Sequence, residues 1–358
     1  MKKHFCVLLF VATLISACKK GGSSDSTTQN TTTTTTNTQG TTAKITVTTL
    51  AGTAGSFNQG NTNGTGPAAS FDSPRGMATD AVGNIYVTDY GNGLIRKISP
   101  AGVVTTFASA SYQLAGITVD AAGYVYVTVV YPNYIYKLSP GSVYSAIAGA
   151  PGGPSGNING PGSSATFNGP AGVAVDAAGN LYVADTGNGL IRKITSAGVV
   201  TTLAGNGNLL SSTDGVGTAA SFFYPQSVAV DPSGNVYVAD HTSIRKISPA
   251  GVVTTLAGSN TAGATNGTGA SATFNEPYGV ALDAAGNLYV ADTYNNLIRK
   301  ITAAGVVTTL AGSGVAGGAD GAGSVASFNQ PFGITVDAGG NIYVADTNNN
   351  IIRKITVQ

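Results

Sequence analysis

A sequence motif that recurs along most of the chain constrains the fold more than any other feature. The segment Gly172–Asp185 reads GVAVDAAGNLYVAD, and Gly279–Asp292 repeats it with one substitution. An aspartate marks the end of the first apolar run in each copy, at steps of 40 to 56 residues: Asp80, Asp120, Asp176, Asp231, Asp283 and Asp337. Six copies at this spacing indicate a fold built from one repeated supersecondary unit.

Each copy contains four short apolar runs separated by turn residues. In the third copy these runs are Val173–Val175, Leu181–Ala184, Leu190–Ile194 and Val199–Leu203. Short runs rich in Val, Ile and Tyr and bounded by Gly and Asn are typical of antiparallel strands. Four strands per repeat of this length form the blade of a propeller. We therefore predict an all-β fold, a six-bladed β-propeller of four-stranded antiparallel blades.

The two ends of the repeat region predict how the ring closes. The last copy stops after Ile351–Val357, which corresponds to the third strand of a blade. Its fourth-strand sequence is found near the N-terminus, where Ile45–Gly52 resembles Val199–Gly205. Because an open array would expose sheet edges, we expect the N-terminal strand to complete the last blade and close the ring.

These motifs resemble the NHL-repeat family of six-bladed propellers over roughly residues 44–358. The resemblance rests on the Pro170-x-Gly172 motif, on the segment Gly-Asn-Leu-Tyr-Val-Ala-Asp and on the strand Ile-Arg-Lys-Ile. It implies the fold but not one function, because the family includes binding scaffolds, RNA binders and a few enzymes.

Residues 1–17 have the properties of a bacterial lipoprotein signal peptide. Lys2 and Lys3 precede the apolar run Phe5–Ile15, which is too short to span a membrane. The sequence Ile15–Cys18 (ISAC) resembles a lipobox, so we expect Cys18 to be lipidated; an ordinary signal peptide with an incidental cysteine is the alternative. This predicts a lipid-anchored protein of the bacterial cell envelope, placed in the outer membrane.

Residues 18–43 contain the lipidated cysteine and a tether rich in Thr, Ser and Gly. Such a segment has almost no apolar surface to offset its ordering entropy, so we predict disorder. The predicted organisation is therefore a signal peptide over 1–17, a tether over 18–43 and a propeller over 44–358.

Charged residues are scarce, which excludes several classes of function. Lys and Arg number 17 and Asp and Glu 16, or 9% of the 358 residues, against about 25% in a typical soluble protein. Without a basic block, nucleic-acid binding is excluded. Two His and two Cys exclude a His-rich zinc site and a disulfide framework. We predict no cofactor, although Asp, Asn and carbonyl oxygens leave calcium possible.

Most charged residues occupy repeated positions. An Asp ends the second strand and an Arg stands in the third, except in the second copy, where Val127–Val130 has no acid and Tyr136 replaces the arginine. A ring of carboxylates around a cation is one interpretation, but loss of both groups together favours a structural ion pair in each blade. Six repeated tyrosines are expected to pack between adjacent blades: Tyr86, Tyr126, Tyr182, Tyr237, Tyr289 and Tyr343.

The residue after the repeated proline is a first set of candidate ligand contacts. It varies while its neighbours do not, and the resemblance places it at the mouth of the central channel: Arg75, Ala171, Gln226, Tyr278 and Phe332. Loop variation without a role in binding is the alternative.

The second copy supplies the other candidate site. It lacks most of the long loop that precedes the other blades, and seven of the 16 tyrosines lie between Tyr112 and Tyr144. We expect Tyr112, Tyr131 and Tyr134 to border a notch that binds a peptide, a glycan or another ligand. Alternatively, the tyrosines fill the volume that the missing loop vacates.

We predict a monomeric, non-catalytic binding or scaffolding lipoprotein whose partner is an envelope protein, a peptide or a glycan. The alternative, which six-bladed propellers suggest, is a calcium-dependent lactonase- or lyase-like enzyme acting at the channel mouth. After Cys18 the chain has one histidine, His241, and one glutamate, Glu276. We therefore predict no catalytic residue, because paired-glutamate and His-zinc mechanisms lack their groups.

Overall fold

A computed structural model describes residues 43–55, 59–110 and 112–358, which form a ring of six antiparallel sheets. The predicted six-bladed all-β propeller is confirmed. The predicted signal peptide, Cys18 and almost all of the predicted tether lie outside the described residues. Within the described part of the chain, no helix is long and apolar enough to cross a membrane.

Each blade has four main strands, of which the first lines the central axis. In chain order they are Pro74–Thr79, Ile85–Asp89, Leu94–Ile98 and Val103–Ser109 in blade 1; Gln113–Val119, Val125–Tyr131, Tyr134–Leu138 and Tyr144–Ala148 in blade 2; Pro170–Val175, Leu181–Asp185, Leu190–Ile194 and Val199–Ala204 in blade 3; Pro225–Val230, Val236–Asp240, Ser243–Ile247 and Val252–Gly258 in blade 4; Pro277–Leu282, Leu288–Asp292, Leu297–Ile301 and Val306–Ala311 in blade 5; and Pro331–Val336, Ile342–Asp346, Ile351–Val357 and Ile45–Ala51 in blade 6.

Five blades carry an additional strand of two residues on their outer edge, and the described part of blade 2 does not. These fifth strands are Gly64–Thr65, Gly160–Pro161, Gly215–Val216, Gly267–Thr268 and Gly321–Ala322. The described residues also contain short 3₁₀ helices at Gly66–Ala68, Tyr90–Asn92, Thr186–Asn188, Gly217–Ala219, Gly269–Ser271, Thr293–Asn295 and Thr347–Asn349.

The N-terminal strand closes the ring as predicted. Ile45–Ala51 pairs antiparallel with Ile351–Val357, and Val47 lies opposite Ile355. Lys44 and Gln358 extend this ladder through two backbone hydrogen bonds of 2.7 and 3.0 Å. Blade 6 therefore joins the two ends of the propeller in one sheet.

The apolar core lies between neighbouring blades. The ring of Tyr343 in blade 6, for example, belongs to a buried cluster with Val87 of blade 1, and the other five repeated tyrosines occupy equivalent clusters, as predicted. The Tyr343 hydroxyl donates to Asp337 Oδ2 at 2.9 Å. Burial acts to raise the pKa of Asp337, but hydrogen bonds from Asn341, from Tyr343 and from the backbone outweigh it and leave that pKa below its ordinary value.

The predicted ion pair is present in five blades, and its arginine also fixes the preceding loop. In blade 3, Arg192 Nη1 donates to Asp185 Oδ2 at 2.8 Å, and both side chains are fully buried. The same guanidinium donates to the carbonyl oxygens of Thr166 and Ile158 at 3.1 and 3.0 Å and lies 5.1 Å from the ring centre of Phe167. Blades 1, 4, 5 and 6 repeat the pair at 2.7 to 3.0 Å. The repeated Asp and Arg are therefore scaffold residues.

Close approach of the innermost strands explains the Pro-x-Gly motif. A Cβ on Gly172 would lie 2.6 Å from Cα of Ser227 in the next blade, and a Cβ on Gly333 would collide with the carbonyl oxygen of Arg75. Glycine lets two backbones approach without such a clash. Five blades have glycine at this position and blade 4 has Ser227. At the axis this leaves a cavity of about 70 Å³ beside the glycines and one of about 200 Å³ at the other end of the innermost strands.

Candidate ligand-binding site

The seven residues that the sequence predicts as ligand contacts lie in two places on the propeller. Gln226, Tyr278 and Phe332 line the narrow cavity at the channel mouth, and Arg75 contacts Phe332. Tyr112 and Tyr134 line a separate cavity beside blade 2. Tyr131 is 74% exposed and does not line that cavity. A role in ligand binding stays a prediction for all seven, and the lining of the cavity gives no support to that role for Tyr131.

Contacts with aromatic rings connect three of the mouth residues. The guanidinium carbon of Arg75 lies 3.5 Å from the ring centre of Tyr90 and 5.1 Å from that of Phe332. The ring centres of Phe332 and Tyr278 are 4.7 Å apart. Burial lowers the pKa of Arg75, whereas Tyr90 and Tyr278 favour its charged form. Because its cation already lies over two aromatic rings, Arg75 is held in place within the mouth.

A cleft of about 300 Å³ lies beside Tyr278 and contains the histidine and glutamate that the sequence singled out. It is lined by Phe223, Tyr224, Gln226, His241, Glu276 and Tyr278. The Tyr278 hydroxyl donates to Glu276 Oε2 at 2.7 Å, and the His241 ring centre lies 4.3 Å from that of Phe223. Tyr224, His241 and Glu276 all have positive φ, of 56°, 51° and 47°. The residue before the repeated proline also has positive φ in blades 1, 3 and 6, at Ser73, Gly169 and Gln330, so the conformation of Tyr224 and Glu276 belongs to the repeat and does not mark a site.

Residues 43–55, 59–110 and 112–358 contain no group of three or more His, Cys, Asp or Glu side chains arranged to hold a metal ion. A calcium site that uses Asn and carbonyl oxygens as well as Asp stays a prediction.

The cavity beside blade 2 is lined mainly by aromatic side chains and measures about 330 Å³. We call the four rings that line it, Tyr112, Tyr134, Tyr136 and Tyr144, the tyrosine notch. Successive ring centres are 5.9, 5.4 and 5.2 Å apart. Tyr134 and Tyr136 are buried, whereas Tyr112 and Tyr144 are 43% and 41% exposed. Two tyrosines thus fill the vacated volume and two border an open cavity, whereas ligand binding there stays a prediction.

Blade 2 differs from the other blades at the positions that contact the loop before each blade. Tyr136 lies opposite Val127 in its sheet, as Arg96 lies opposite Val87 in blade 1. In the same registers, Val129 replaces the ion-pair Asp, Ala146 replaces a threonine that bonds the loop, and Tyr144 replaces a buried valine. The cavity therefore occupies the place that a loop and its phenylalanine fill in the other five blades.

One polar atom in the tyrosine notch has no partner within the described residues. The Tyr136 hydroxyl is buried and makes no hydrogen bond there, whereas the Tyr144 hydroxyl donates to the carbonyl oxygen of Ser109 at 2.6 Å. Burial, assisted by the neighbouring phenols, raises the pKa of Tyr134 to about 12 and also raises that of Tyr136. These phenols are therefore neutral at physiological pH, where they can donate and accept hydrogen bonds.

Tyr112 also lines another cavity, of about 310 Å³, between blades 1 and 2. Tyr90, which lies under Arg75, lines the same cavity. The tyrosine notch and the channel mouth are thus neighbours on one face of the propeller.

Sequence reasoning missed Tyr144 and used Tyr136 only as evidence for a lost ion pair. A position-by-position comparison of the six copies would have shown both, because each stands where the other copies have a different and constant residue. No constant residue of the other copies corresponds to Tyr131, and its high exposure could not be predicted from the sequence.

Comparison with known proteins identifies the repeat. The profile of the NHL repeat matches residues 167–194, 274–301 and 328–355. The profile of the teneurin NHL domain matches residues 212–270. These four segments fall in blades 3 to 6.

Similarity to individual proteins extends over most of the chain. NHL repeat-containing protein 2 from Gallus gallus is 29% identical over 336 residues, which are 86% of this chain and 42% of that protein. The chain spans less than half the length of the curated relatives it matches.

Two solved structures share the fold. An auxiliary nutrient binding protein from Bacteroides thetaiotaomicron superposes with a TM-score of 0.69 at 19% identity, covering 88% of this chain and 77% of that one. A catalytically inactive variant of virginiamycin B lyase from Staphylococcus aureus, solved with quinupristin, gives a TM-score of 0.56 at 15% identity, covering 88% and 100%. At these identities the likeness is one of fold alone.

Proposed function

Because this chain is a six-bladed β-propeller that carries NHL repeats, we propose that it is a non-catalytic binding module whose ligand occupies the tyrosine notch of blade 2. The observation that carries the proposal is the cavity of about 330 Å³, with two half-exposed rings at its opening and an unpartnered hydroxyl in its wall. Ligand sites are concave and mostly apolar, with a few polar groups that orient the ligand.

The chemistry of the cavity favours an uncharged ligand group. Its lining residues are tyrosines with Ser109, Ala110, Ala146 and Pro151, and none of them is charged at neutral pH. A buried charge would find no counter-charge there and would be costly. Tyrosine gives rigid contact area together with a hydrogen-bonding group, which suits a peptide or a glycan equally.

The N-terminal sequence supports a place for this module in the bacterial cell envelope. Lipidation of Cys18 would anchor the chain, and residues 18–43 would hold the propeller away from the membrane. We place the anchor in the outer membrane and the ligand on an envelope protein, peptide or glycan. One of the solved neighbours is named as a nutrient binding protein, which agrees with a binding role.

Replacing Tyr112 and Tyr144 together by alanine should reduce capture of envelope partners by tenfold or more. Each half-exposed ring that a ligand covers contributes about 1–2 kcal/mol, and both rings border the cavity. The measurement is a pull-down from solubilised envelopes, compared at equal amounts of folded protein. Because both side chains are more than 40% exposed, the melting temperature should change little.

Tyr131→Ala is the matched control for this experiment. Tyr131 is 74% exposed and lies in the same blade but outside the cavity lining, so its loss should leave capture intact. Capture that survives the double substitution would show that the ligand binds elsewhere.

A second candidate function is lyase- or lactonase-like catalysis in the cleft beside Tyr278. The observation that favours it is the convergence of His241, Glu276 and Tyr278 in one cleft of about 300 Å³. Virginiamycin B lyase, which has the same fold, is catalytically inactive when one of its histidines is replaced by alanine. Incubating the protein with quinupristin, with and without Ca²⁺, and following the quinupristin peak by liquid chromatography tests this candidate; an unchanged peak argues against it.

A further inference from the structure

The loops of the other five blades show what kind of segment fits beside blade 2. Each contains nine residues of the form Asn/Asp-Gly-x-Gly-x-x-Ala-Ser/Thr-Phe: Asn63–Phe71, Asn159–Phe167, Asp214–Phe222, Asn266–Phe274 and Asp320–Phe328. We call this segment the loop nonapeptide. Blade 2 has no copy of it, because only residues 110–112 separate its first strand from the last strand of blade 1.

The loop nonapeptide binds its blade in two ways. In blade 5, Gly267 and Thr268 pair with Val307 and Val306 at the sheet edge, and the Gly269 N–H donates to the carbonyl oxygen of Gly305 at 3.0 Å. At the other end, Phe274 is fully buried, with its ring centre 5.3 Å from the guanidinium of Arg299. Backbone pairing and one buried aromatic ring thus hold the segment.

Blade 2 offers both features without an occupant in the described structure. Its fourth strand is an unpaired edge, on which Tyr144 takes the register position of Val307. Val307 is 1% exposed, whereas Tyr144 is 41% exposed. Tyr136 takes the position of Arg299 and lines the cavity where the loop phenylalanine would lie.

The free polar groups of blade 2 match a peptide backbone. The arginine of blade 5 donates to the carbonyl oxygens of Thr273 and Thr265 in its loop at 3.2 and 3.1 Å. The buried Tyr136 hydroxyl, which has no partner in the described residues, can donate to one such carbonyl. An unpaired strand edge supplies the remaining backbone donors and acceptors.

We propose that the tyrosine notch binds an extended segment of a partner polypeptide that takes the place of the missing loop. The segment adds a fifth strand to blade 2 at Val143 and Tyr144, places an uncharged aromatic side chain in the cavity and accepts a hydrogen bond from the Tyr136 hydroxyl. This proposal names the ligand class of the proposed function and rests on it.

The test uses a synthetic peptide with the sequence of residues 266–274 (NGTGASATF), capped at both ends and labelled for fluorescence anisotropy. We expect saturable binding to the full-length chain below about 1 mM, and a loss of tenfold or more when the Phe of the peptide is replaced by Ala. N-methylation at the residue matching Gly269 should abolish binding, because it removes the donor that in blade 5 bonds the carbonyl oxygen of Gly305, directly before the fourth strand.

Two variants of the protein test the site. Tyr136→Phe should weaken peptide binding by about threefold to tenfold, while the melting temperature stays the same or rises, because the substitution removes a buried hydroxyl without a partner. Ala146→Trp should block the cavity, whereas Thr309→Trp, at the same strand position of blade 5, should leave binding unchanged.

Absence of saturable binding, or binding that neither N-methylation nor Tyr136→Phe weakens, overturns the strand-addition proposal. If the Tyr112→Ala, Tyr144→Ala protein loses its envelope partner while the peptide fails to bind, the notch is a site for another ligand such as a glycan, and only this further proposal fails. If the double substitution also leaves capture intact, the proposed function fails with it.

Discussion

Arg192→Met should lower the free energy of unfolding by about 3–5 kcal/mol, the usual loss when one partner of a buried ion pair is removed. Methionine keeps most of the apolar stem but leaves Asp185 buried without its counter-charge. The carbonyl oxygens of Thr166 and Ile158 lose their donor at the same time, so the loop before blade 3 is released as well. Denaturation by urea, followed by circular dichroism, measures the change.

Lys193→Met is the matched control, because Lys193 is the next residue and faces the opposite side of the strand. Its ammonium lies 5.5 Å from the ring centre of Tyr182 and is partly exposed, so we expect a loss below about 1 kcal/mol. Equal losses in the two variants would contradict a scaffold role for the arginine.

The loss of unfolding free energy that Arg192→Met causes should also be smaller at acidic pH. Burial raises the pKa of Asp185 even beside Arg192, and without that cation the pKa rises further. As pH falls through this raised pKa, the carboxyl takes up a proton and the cost of a buried, unpaired charge disappears. If this loss of unfolding free energy stays constant between neutral and acidic pH, then it comes mainly from the lost contacts to the carbonyl oxygens and not from the unpaired charge.

Deleting the N-terminal strand should have the larger effect and prevent cooperative folding. Val47 and Ala51 are fully buried, and the strand pairs along its length with Ile351–Val357. Without it, blade 6 has an exposed edge and the ring lacks the sheet that joins its ends. We expect a chain that begins at residue 52 to aggregate and to lose its thermal transition, whereas one that begins at residue 43 keeps both solubility and transition.

Size-exclusion chromatography and thermal melts compare the two truncated chains. Adding a synthetic peptide of residues 43–52 should recover part of the folded, monomeric fraction, because it restores the missing strand in trans. A chain from residue 52 that stays monomeric and melts like the longer one would contradict closure by this strand.

Much of the fold could be predicted because each blade repeats the same local signals. Copies of one motif fixed the number of blades, and the displaced copy at Ile45–Gly52 predicted the closure that pairs Val47 with Ile355. The second copy lacks both the acid and the arginine, and this joint loss predicted the ion pair, because either charge would be destabilising if it were buried without the other.

The candidate site was predicted only in outline. Its cavity exists because blade 2 lacks the loop and the phenylalanine that fill this space in the other blades, and the shape of such a space depends on the surrounding side chains. The concentration of tyrosines in blade 2 was visible in the sequence, but the burial of Tyr134 and the exposure of Tyr131 follow from strand register and from neighbouring blades. The contact of Arg75 with Tyr90 joins the first strand of blade 1 to the short 3₁₀ helix that follows its second strand. Such contacts carry no signal at sequence level.

Site-specific photo-crosslinking in intact cells tests most directly whether blade 2 is the binding blade. A photoreactive phenylalanine analogue is placed at Ala146, on the wall of the tyrosine notch, or at Thr309, the equivalent position of blade 5. We predict a light-dependent adduct from position 146 that disappears when Tyr112 and Tyr144 are replaced by alanine, and none from position 309. The same adducts from both positions, or none from position 146, would contradict this account.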